Sequence, residues 1–254
     1  MDLSRAMQVC LEAVHDAGRL TLGYFGTGVD VNLKEDDSPV TIADVKAEEL
    51  IRTRLEAAFP DHGIVGEEYG TTREEATHQW YIDPIDGTKS FIRGVPLYAV
   101  LLGLEVAGEV VVGAAYFPAL DELVYAAKGQ GTRLNGRQCR VRDTTDMSRA
   151  MVGFTDAASF DKHGRGDAWR RVMAATYHRP GWSDAYGHAL VATGRLEAML
   201  DPILNPHDAA PFGIILPEAG GYFGDFAGQP GIHAPEGMST TAALLPALLR
   251  LIEG

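Results

Sequence analysis

Residues 80–91 read Trp-Tyr-Ile-Asp-Pro-Ile-Asp-Gly-Thr-Lys-Ser-Phe, and this stretch indicates both a buried strand and a chemical site. An apolar run ends at Asp83 and Asp86, which lie three residues apart and are followed directly by Gly87 and Thr88. Two carboxylates held close together repel each other and resist desolvation unless a divalent cation lies between them. Oxygen ligands suit Mg²⁺ or Mn²⁺. Taken alone, the stretch is explained equally well by an Asx-type turn, in which aspartates bind nearby amides.

Further carboxylates stand at the ends of other predicted elements. Glu67 and Glu68 follow a short strand-like segment, Asp44 lies near the start of a predicted helix, and Asp208 precedes another. Each has a structural alternative: a solvated loop for the two glutamates, a capping box with Thr41 for Asp44, and a helix N-cap for Asp208. Acids at four separate element ends nevertheless favour one shared metal site over four independent structural roles.

Composition restricts the class of protein. The chain has 254 residues, of which 46% are hydrophobic and 22% charged, as is typical of a globular protein with a sizeable core. Its formal net charge of -13 disfavours nucleic acid as a partner, because such surfaces need clustered Lys and Arg. Cys10 and Cys139 form no CxxC pair, which suits a reducing compartment. With neither a signal-peptide pattern nor an apolar run of about 18 residues, the expectation is a cytoplasmic protein without a membrane partner.

Helical and strand-like patterns follow one another in the order expected for layered α and β structure. Apolar residues recur every three or four positions over residues 3–24 and 41–59, which predicts two helices. Residues 97–127 predict a meander of three strands. The other predicted segments are a loop at 34–39, strands at 63–66, 80–82, 150–154 and 197–200, a polar linker at 155–166, and helices from 167 and at 185–193, 209–219 and 241–253.

A cluster of polar residues near 140–150 divides the chain into two halves. Residues 1–145 are predicted as an α+β half that carries most candidate metal ligands. Residues 146–254 are predicted as an α/β half that carries Asp208 and the candidate specificity residues. Because no low-complexity linker separates them, the two halves are expected to form one compact unit.

The blocks at the element ends resemble a known family. Taken together, they resemble the inositol-monophosphatase-like family of metal-dependent phosphatases; the blocks are residues 66–68 (GEE), 83–88 (DPIDGT) and 208–221. The resemblance spans most of the chain, from the helix with Asp44 to Gly221, in the family's order. The DPIDGT run is its most specific part, whereas the other blocks alone would be weak.

Two further blocks refine the resemblance, and one residue departs from it. Residues 89–94 and 184–188 look most like the histidinol-phosphate phosphatase branch of the family. The family usually has Trp directly before its last metal-binding Asp, but this chain has His207. A packing role, metal binding and substrate contact are all open for His207.

The resemblance implies a set of metal ligands. Glu67, Asp83 and the carbonyl of Ile85 would hold one Mg²⁺, and Asp83, Asp86 and Asp208 would hold a second. A third, looser ion would lie near Glu67, and Mn²⁺ would be a possible substitute.

The resemblance also implies catalytic and phosphate-binding roles. Asp44 and Thr88 would orient the attacking water, with Glu67 beside them, and the amides of Gly87 and Thr88 would receive the phosphate. Attack would be direct and in line, without a phosphoenzyme. The implied fold is an α/β/α/β/α layered sandwich, typically a homodimer.

The implied function is Mg²⁺-dependent hydrolysis of histidinol phosphate to histidinol and phosphate, a step of histidine biosynthesis. Alternatives are inositol 1-phosphate or another small sugar or nucleotide phosphate as substrate, and, in another class, a metal-binding regulatory protein without turnover. Histidinol phosphate carries an ammonium group, so its pocket should offer acids beyond those taken by metals. Asp184 and Asp201 are the candidates, with an N-cap and a turn as their structural alternatives.

Overall fold

The fold was obtained as a computed structural model, which describes residues 2–34, 38–182 and 184–254. Within these residues the helices are α1 (Leu3–Leu22), α2 (Ile42–Ala58), α3 (Thr88–Ile92), α4 (Ala157–Lys162), α5 (Gly166–Ala175), α6 (Asp184–Ala192), α7 (Pro206–Ala209), α8 (Phe212–Glu218) and α9 (Leu245–Glu253). The strands are β1 (Val31–Leu33), β2 (Pro39–Thr41), β3 (Gly63–Gly66), β4 (Gly70–Thr72), β5 (His78–Asp86), β6 (Ala99–Val106), β7 (Glu109–Phe117), β8 (Glu122–Ala127), β9 (Thr132–Leu134), β10 (Arg137–Cys139), β11 (Val152–Phe154), β12 (Ala198–Asp201), β13 (Gly221–Gly224) and β14 (Gly237–Thr241).

The two larger sheets and the helices stack in five layers. An eight-stranded sheet has the order β10-β9-β8-β7-β6-β5-β3-β4, and a four-stranded sheet has the order β11-β12-β14-β13. α1 and α2 cover one face of the larger sheet. α6, α7 and α8 lie between the two sheets, and α4, α5 and α9 cover the outer face of the smaller one. The predicted α/β/α/β/α sandwich is therefore confirmed.

Strand β6 shows why the larger sheet can pack helices on both faces. Val100, Leu102 and Leu104 belong to the core formed with α1 and α2. Ala99 and Leu101 belong to the core on the opposite face, with α6 and α8. Because side chains alternate along a strand, a continuously apolar run supplies both faces.

Gly103 and Gly113 pair across β6 and β7 and let the segment before α8 lie directly on the sheet. A Cβ on Gly103 would lie 2.7 Å from the Cβ of Ala210, and one on Gly113 would lie 2.6 Å from the carbonyl oxygen of Pro211. These contacts leave no room for a larger side chain, so the two glycines set the spacing between sheet and middle layer. Asp208, two residues before Ala210, is thereby held against β5.

Strand β5 contains a β-bulge at the stretch that carries two aspartates. Its pairing with β6 runs from Asp83–Leu101 to Asp86–Ala99, so three steps on β5 oppose two steps on β6. Residues three apart in a regular strand point to opposite faces, but the extra residue of the bulge lets Asp83 and Asp86 point to the same side. Pairing with β3 stops one residue before Asp83, so the missing N–H of Pro84 breaks no hydrogen bond there. The strand is thus longer than the predicted 80–82, and both aspartates lie within it instead of beyond its end.

Most other predicted elements are present. The helices at 3–24, 41–59, from 167 and at 185–193, together with the meander and the remaining strands, appear with their ends shifted by at most two residues. Part of the predicted loop at 34–39, namely residues 35–37, lies outside the described residues. The division into halves at residue 145 stays a prediction. Among the described residues, no helix combines the length and the apolar character that crossing a membrane requires.

The predicted polar linker at 155–166 is wrong, because it contains α4. Asp156 begins this helix, its Oδ1 accepting a hydrogen bond from the backbone N–H of Ala158 at 2.9 Å. Phe160 anchors the helix by stacking on Trp169, with ring centroids 4.5 Å apart. One buried aromatic side chain produces no apolar period, so the pattern did not reveal the helix.

Two predicted helices near the C-terminus also differ from the structure. The helix predicted at 209–219 is divided into α7 and α8, with the break at Ala210 and Pro211. The last helix begins at Leu245 instead of 241, because residues 237–241 form β14 inside the smaller sheet. Ser239 and Thr240 of this strand are polar but fully buried, so β14 lacks the apolar signature of a central strand.

We expect Gly103→Ala to destabilise the protein by about 1–3 kcal/mol, because the new Cβ forces Ala210 and Pro211 away from the sheet. Gly113→Ala should act in the same way. The double variant should lose less than the sum, since the shift that accommodates one methyl group also accommodates the other. Urea unfolding of the three variants measures these free energies. Strictly additive losses, or a loss below about 0.5 kcal/mol for Gly103→Ala, would show that the glycines do not share one contact.

Candidate metal centre

Three aspartates from two distant segments meet at the end of β5. One carboxylate oxygen from each of Asp83, Asp86 and Asp208 lies within 4.8 Å of the others. The bulge in β5 turns the first two to the same side, and α7 brings the third against them. Asp83 Oδ1 accepts from the N–H of Ile85 at 2.9 Å, and Asp86 Oδ2 accepts from the N–H of Ala185 at 2.9 Å. The structure therefore brings together the three residues that the resemblance assigned to one ion.

Asp208 is held by a capping box at the start of α7. Its Oδ2 accepts from the backbone N–H of Asn205 at 3.0 Å and from the Asn205 side chain at 3.3 Å. Asn205 is thus the N-cap and Asp208 the third residue of the helix, so the predicted N-cap alternative for Asp208 is wrong. His207, which replaces the family's Trp, has Nε2 3.3 Å from Asp208 Oδ1. This contact places His207 beside the candidate ligands.

The electrostatics of the cluster suit a divalent cation. Burial raises the pKa of both Asp83 and Asp86 well above the ordinary aspartate value, and neighbouring carboxylates raise each pKa further. The strongest of these neighbours is Glu67 for Asp83 and Asp184 for Asp86. In the described parts of the chain, no Lys or Arg forms an ion pair with the three clustered aspartates. Uncompensated carboxylate oxygens at this spacing fit a hard cation such as Mg²⁺.

Glu67 lies next to this cluster but faces a lysine. Its N–H donates to the carbonyl of Ile82 at 3.2 Å, which places it beside Asp83 across the parallel strands. Lys34 Nζ lies 2.7 Å from Glu67 Oε1 and 2.8 Å from Glu68 Oε1. Burial raises the pKa of Glu68 to about 7, although the hydrogen bond from Lys34 acts in the opposite direction. An ion held by Glu67 would therefore compete with Lys34 for that carboxylate.

Glu48 of α2 holds the turn that carries Glu67. Its fully buried carboxylate accepts from the backbone N–H of Glu68 at 2.7 Å and of Tyr69 at 3.2 Å. It also accepts from Arg52 Nε at 2.7 Å. Arg52 in turn donates to a backbone carbonyl at the start of β4. The pair thus fixes the turn from both ends.

The roles of Glu48 and Arg52 were not predicted from the sequence, although a signal was available. Asp44, Glu48 and Arg52 are spaced by four residues, so they form one stripe along α2 that begins at a candidate catalytic acid. A Glu–Arg pair at this spacing is usually an exposed surface pair. Only the structure shows that both side chains are buried.

Asp44 performs the predicted capping role and also keeps one oxygen without a partner. Its Oδ2 accepts from the backbone N–H of Thr41 at 2.8 Å and from the Thr41 hydroxyl at 2.6 Å, which completes a capping box. Its Oδ1 is buried and has no hydrogen-bond partner among the described residues. Ala43 belongs to the same small core as Ile85, which brings Asp44 towards the end of β5. A buried, unsatisfied carboxylate oxygen is rare and suits a site that a water or ligand completes.

Gly87, Thr88 and Ile85 come together where β5 passes into α3. Gly87 has φ +78°, the left-handed region that glycine adopts freely, and a Cβ there would lie 3.1 Å from Asp184 Oδ2. The Thr88 hydroxyl donates to the carbonyl of Ile85 at 3.0 Å. A cation bound at this carbonyl would share it with the hydroxyl.

A cleft of about 310 Å³ opens beside the cluster. Its lining includes Asp86, Asp184, Asp201 and Asp208. Asp184 has φ +54°, uncommon for a residue other than glycine, and its N–H donates to Thr155 Oγ1 at 2.9 Å. Asp201, the last residue of β12, is almost fully buried. The structure therefore places both predicted specificity residues in the same cleft as the metal candidates.

Comparison with known proteins assigns this geometry to a family. The family whose sequence pattern matches is the inositol monophosphatase family, over residues 2–253. A histidinol-phosphatase from Chlorobaculum parvum is 44% identical over 234 residues, which cover 91% of this chain and 90% of that protein. The chain belongs to the inositol monophosphatase family.

Two further relatives agree with this membership. An inositol-1-monophosphatase from Mesorhizobium japonicum is 35% identical over 90% of this chain and 88% of its own. The crystal structure of extragenic suppressor protein SuhB from Bartonella henselae superposes with a TM-score of 0.90 at 30% identity, covering 98% of each chain. The inositol monophosphatase family is metal-dependent, and its histidinol-phosphatase and inositol-1-monophosphatase members are phosphatases. The resemblance deduced from the motifs is confirmed.

We expect Glu48→Gln to loosen the turn that carries Glu67. One amide hydrogen of Gln would face a backbone N–H, so a donor would oppose a donor inside the protein. The free energy of unfolding should fall by about 1–3 kcal/mol, and Mg²⁺ binding measured by calorimetry should weaken. Glu49→Gln makes the same chemical change one residue along, on the exposed side of α2, and serves as the control. Similar behaviour of the two variants would contradict the positioning role of Glu48.

We expect Asp83→Asn to stabilise the metal-free protein by about 1–2 kcal/mol, roughly the energy of one pKa unit of repulsion. Asn removes one of the repelling charges, and its Oδ1 can still accept from Ile85. Mg²⁺ should raise the melting temperature of the unsubstituted protein but not that of the variant, because only the former binds it. Thermal unfolding in EDTA and in Mg²⁺ measures both effects. A variant that Mg²⁺ stabilises as much as the original would refute the metal centre.

Proposed function

We propose that this protein is a Mg²⁺-dependent phosphomonoesterase that hydrolyses histidinol phosphate to histidinol and phosphate. The observation that carries the proposal is a single cleft lined by two of the clustered aspartates, Asp86 and Asp208, and by two further acids, Asp184 and Asp201. The 44% identity to a histidinol-phosphatase supports the same substrate. On this proposal the enzyme acts on a small metabolite of histidine biosynthesis, as a cytoplasmic homodimer.

Cations bound at the aspartate cluster would allow the cleft to bind a phosphate group. Bound divalent ions would supply the positive charge that screens the phosphate from the carboxylates and lowers the pKa of water. Asp83, Asp86 and Asp208 would hold one ion, and Glu67 would extend the ligand set with Asp83 and the Ile85 carbonyl. Mn²⁺ would be able to replace Mg²⁺ because the donors are all oxygens.

Residues around the cluster would orient the reacting groups. The unsatisfied Oδ1 of Asp44 would accept a hydrogen bond from the attacking water, with Thr88 on the other side of it. The amides of Gly87 and Thr88, at the start of α3, would donate to phosphate oxygens. No side chain would become phosphorylated, because attack by water is direct and in line.

Acids of the cleft wall outside the metal candidates would bind the leaving group. Beyond the metal candidates, Asp156, Asp184 and Asp201 line the cleft, whereas Lys89 is the only Lys or Arg among its described lining residues. This acidic environment favours a leaving group that carries an ammonium, as histidinol does, over a neutral polyol. Asp184 and Asp201 would supply this selectivity, because Asp156 already uses its Oδ1 to cap α4.

Phosphate release from histidinol phosphate and from inositol 1-phosphate, each assayed with Mg²⁺ and with EDTA, tests the proposal. We expect faster turnover of histidinol phosphate, no activity in EDTA and recovery when Mg²⁺ is restored. A preference for inositol 1-phosphate would refute the substrate but keep the phosphatase. The absence of release from any small phosphomonoester would instead favour a metal-binding regulatory protein.

We expect Asp184→Asn to raise the KM for histidinol phosphate about tenfold, the effect of losing one ionic hydrogen bond, while the KM for inositol 1-phosphate changes little. Asp156→Asn is the matched control, because Asp156 lines the same cleft but uses Oδ1 to cap α4, a role that Asn retains. Steady-state kinetics of both variants on both substrates measure these KM values. Equal losses on the two substrates would show that Asp184 has a structural role only.

A further inference from the structure

A buried chain of polar side chains runs from the smaller sheet to the wall of the cleft. Ser239 on β14 lies with its Oγ 2.7 Å from Nδ1 of His188 on α6. The opposite ring nitrogen, Nε2, lies 3.0 Å from Oδ2 of Asp201 at the end of β12. The three residues are at most 4% exposed, yet His188 and Asp201 both line the cleft.

The hydrogen-bonded series Ser239–His188–Asp201 resembles a nucleophilic Ser-His-Asp arrangement but cannot act as one. Ser239 has no exposed surface, so its hydroxyl cannot reach a substrate. Of the three residues, Asp201 is the one that can contact a ligand. Its Oδ1 forms no hydrogen bond with the described residues, and the residue lines the cleft. The hydrogen-bonded series therefore holds the carboxylate of Asp201 in place and does not activate the hydroxyl of Ser239.

The hydrogen-bond directions follow from the chemistry of the three groups. An ionised carboxylate can only accept, so His188 Nε2 must carry the proton that it donates to Asp201. In a neutral imidazole Nδ1 then accepts, and the Ser239 hydroxyl is its donor. Ser239 thus selects the tautomer of His188, and His188 holds the Asp201 carboxylate in one orientation.

Aromatic packing fixes the ring plane of His188. Its ring centroid lies 5.1 Å from that of Phe212 on α8 and 5.6 Å from that of Phe223 on β13, the latter edge-on. An imidazole enclosed in this way cannot rotate without displacing the core between the sheets. The orientation of Asp201 is therefore set by the middle layer of the fold.

We propose that His188 is a positioning residue, supported by Ser239, which holds Asp201 as an oriented anion for the ammonium or imidazole of a cationic leaving group. This proposal rests on the proposed function, because it explains how the cleft distinguishes histidinol phosphate from a neutral phosphate ester. His188 itself touches neither the phosphate nor the reacting water. Its influence is on substrate selection alone.

Two substitutions separate this role from a packing role. His188→Gln can place an amide N–H near the position of Nε2 and so keep a donor to Asp201, whereas His188→Met fills the space without a donor. For His188→Met we expect the KM for histidinol phosphate to rise about tenfold, with kcat and the KM for glycerol phosphate within about twofold. His188→Gln should restore most of the affinity. Equal changes on the two substrates, or equal damage in both variants, would overturn the proposal.

A measurement on the unsubstituted protein covers the case in which His188→Met does not fold. Heteronuclear NMR of protein with nitrogen-labelled histidine, assigned by comparison with His188→Gln, reports the tautomer without any substrate. A neutral Nε2–H form supports the proposal, and a neutral Nδ1–H form refutes it. If the unsubstituted enzyme prefers glycerol phosphate, the proposed substrate fails, and the tautomer still shows whether His188 holds Asp201.

Discussion

Mutual repulsion among Asp83, Asp86 and Asp208 is the constraint on which the rest of the structure depends. A free chain would separate these carboxylates, since like charges repel and, besides burial, the neighbouring Asp208 and Asp86 raise the pKa of Asp83. The fold prevents separation from three directions: the hydrogen-bonded ladder of β5, the capping box of α7, and the N–H that α6 donates to Asp86. The apolar cores on both faces of the larger sheet supply the free energy that holds these supports in place.

The middle layer connects the aspartate cluster to the wall of the cleft. α6, α7 and α8 are packed between two sheets, and α6 and α7 also carry residues of the cleft wall. The larger sheet and α7 present the metal candidates, whereas the smaller sheet presents Asp201. Residues of both sheets therefore line the one cleft. Close contacts at Gly103 and Gly113 keep α7 and α8 at a fixed distance from the larger sheet.

The fold class and the aspartate cluster could be predicted because each leaves a local signal. Apolar periods marked α1, α2 and the meander, and DPIDGT marked the end of β5. The bulge left no such signal, since its effect depends on how β5 pairs with β6, a strand more than ten residues away. The same holds for α4, which one aromatic residue anchors, and for β14, whose buried polar residues find partners only in the folded protein. The roles of Glu48 and His188 were not predicted, because these residues position their neighbours only when buried and the sequence does not show their burial.

The bulge in β5 gives the metal centre one more residue of backbone than a regular strand would supply. Removing one residue between Asp83 and Asp86 would leave every remaining side chain chemically unchanged and would restore regular alternation. The two aspartates would then stand two positions apart on one face, still opposite Leu101 and Ala99, and the strand on either side would keep its pairing with β6. What would be lost is backbone: within the bulge the N–H of Ile85 donates to Asp83, and the carbonyl of Ile85 accepts from the Thr88 hydroxyl. The extra residue therefore adds main-chain donors and acceptors to the site without reversing any side chain that flanks it.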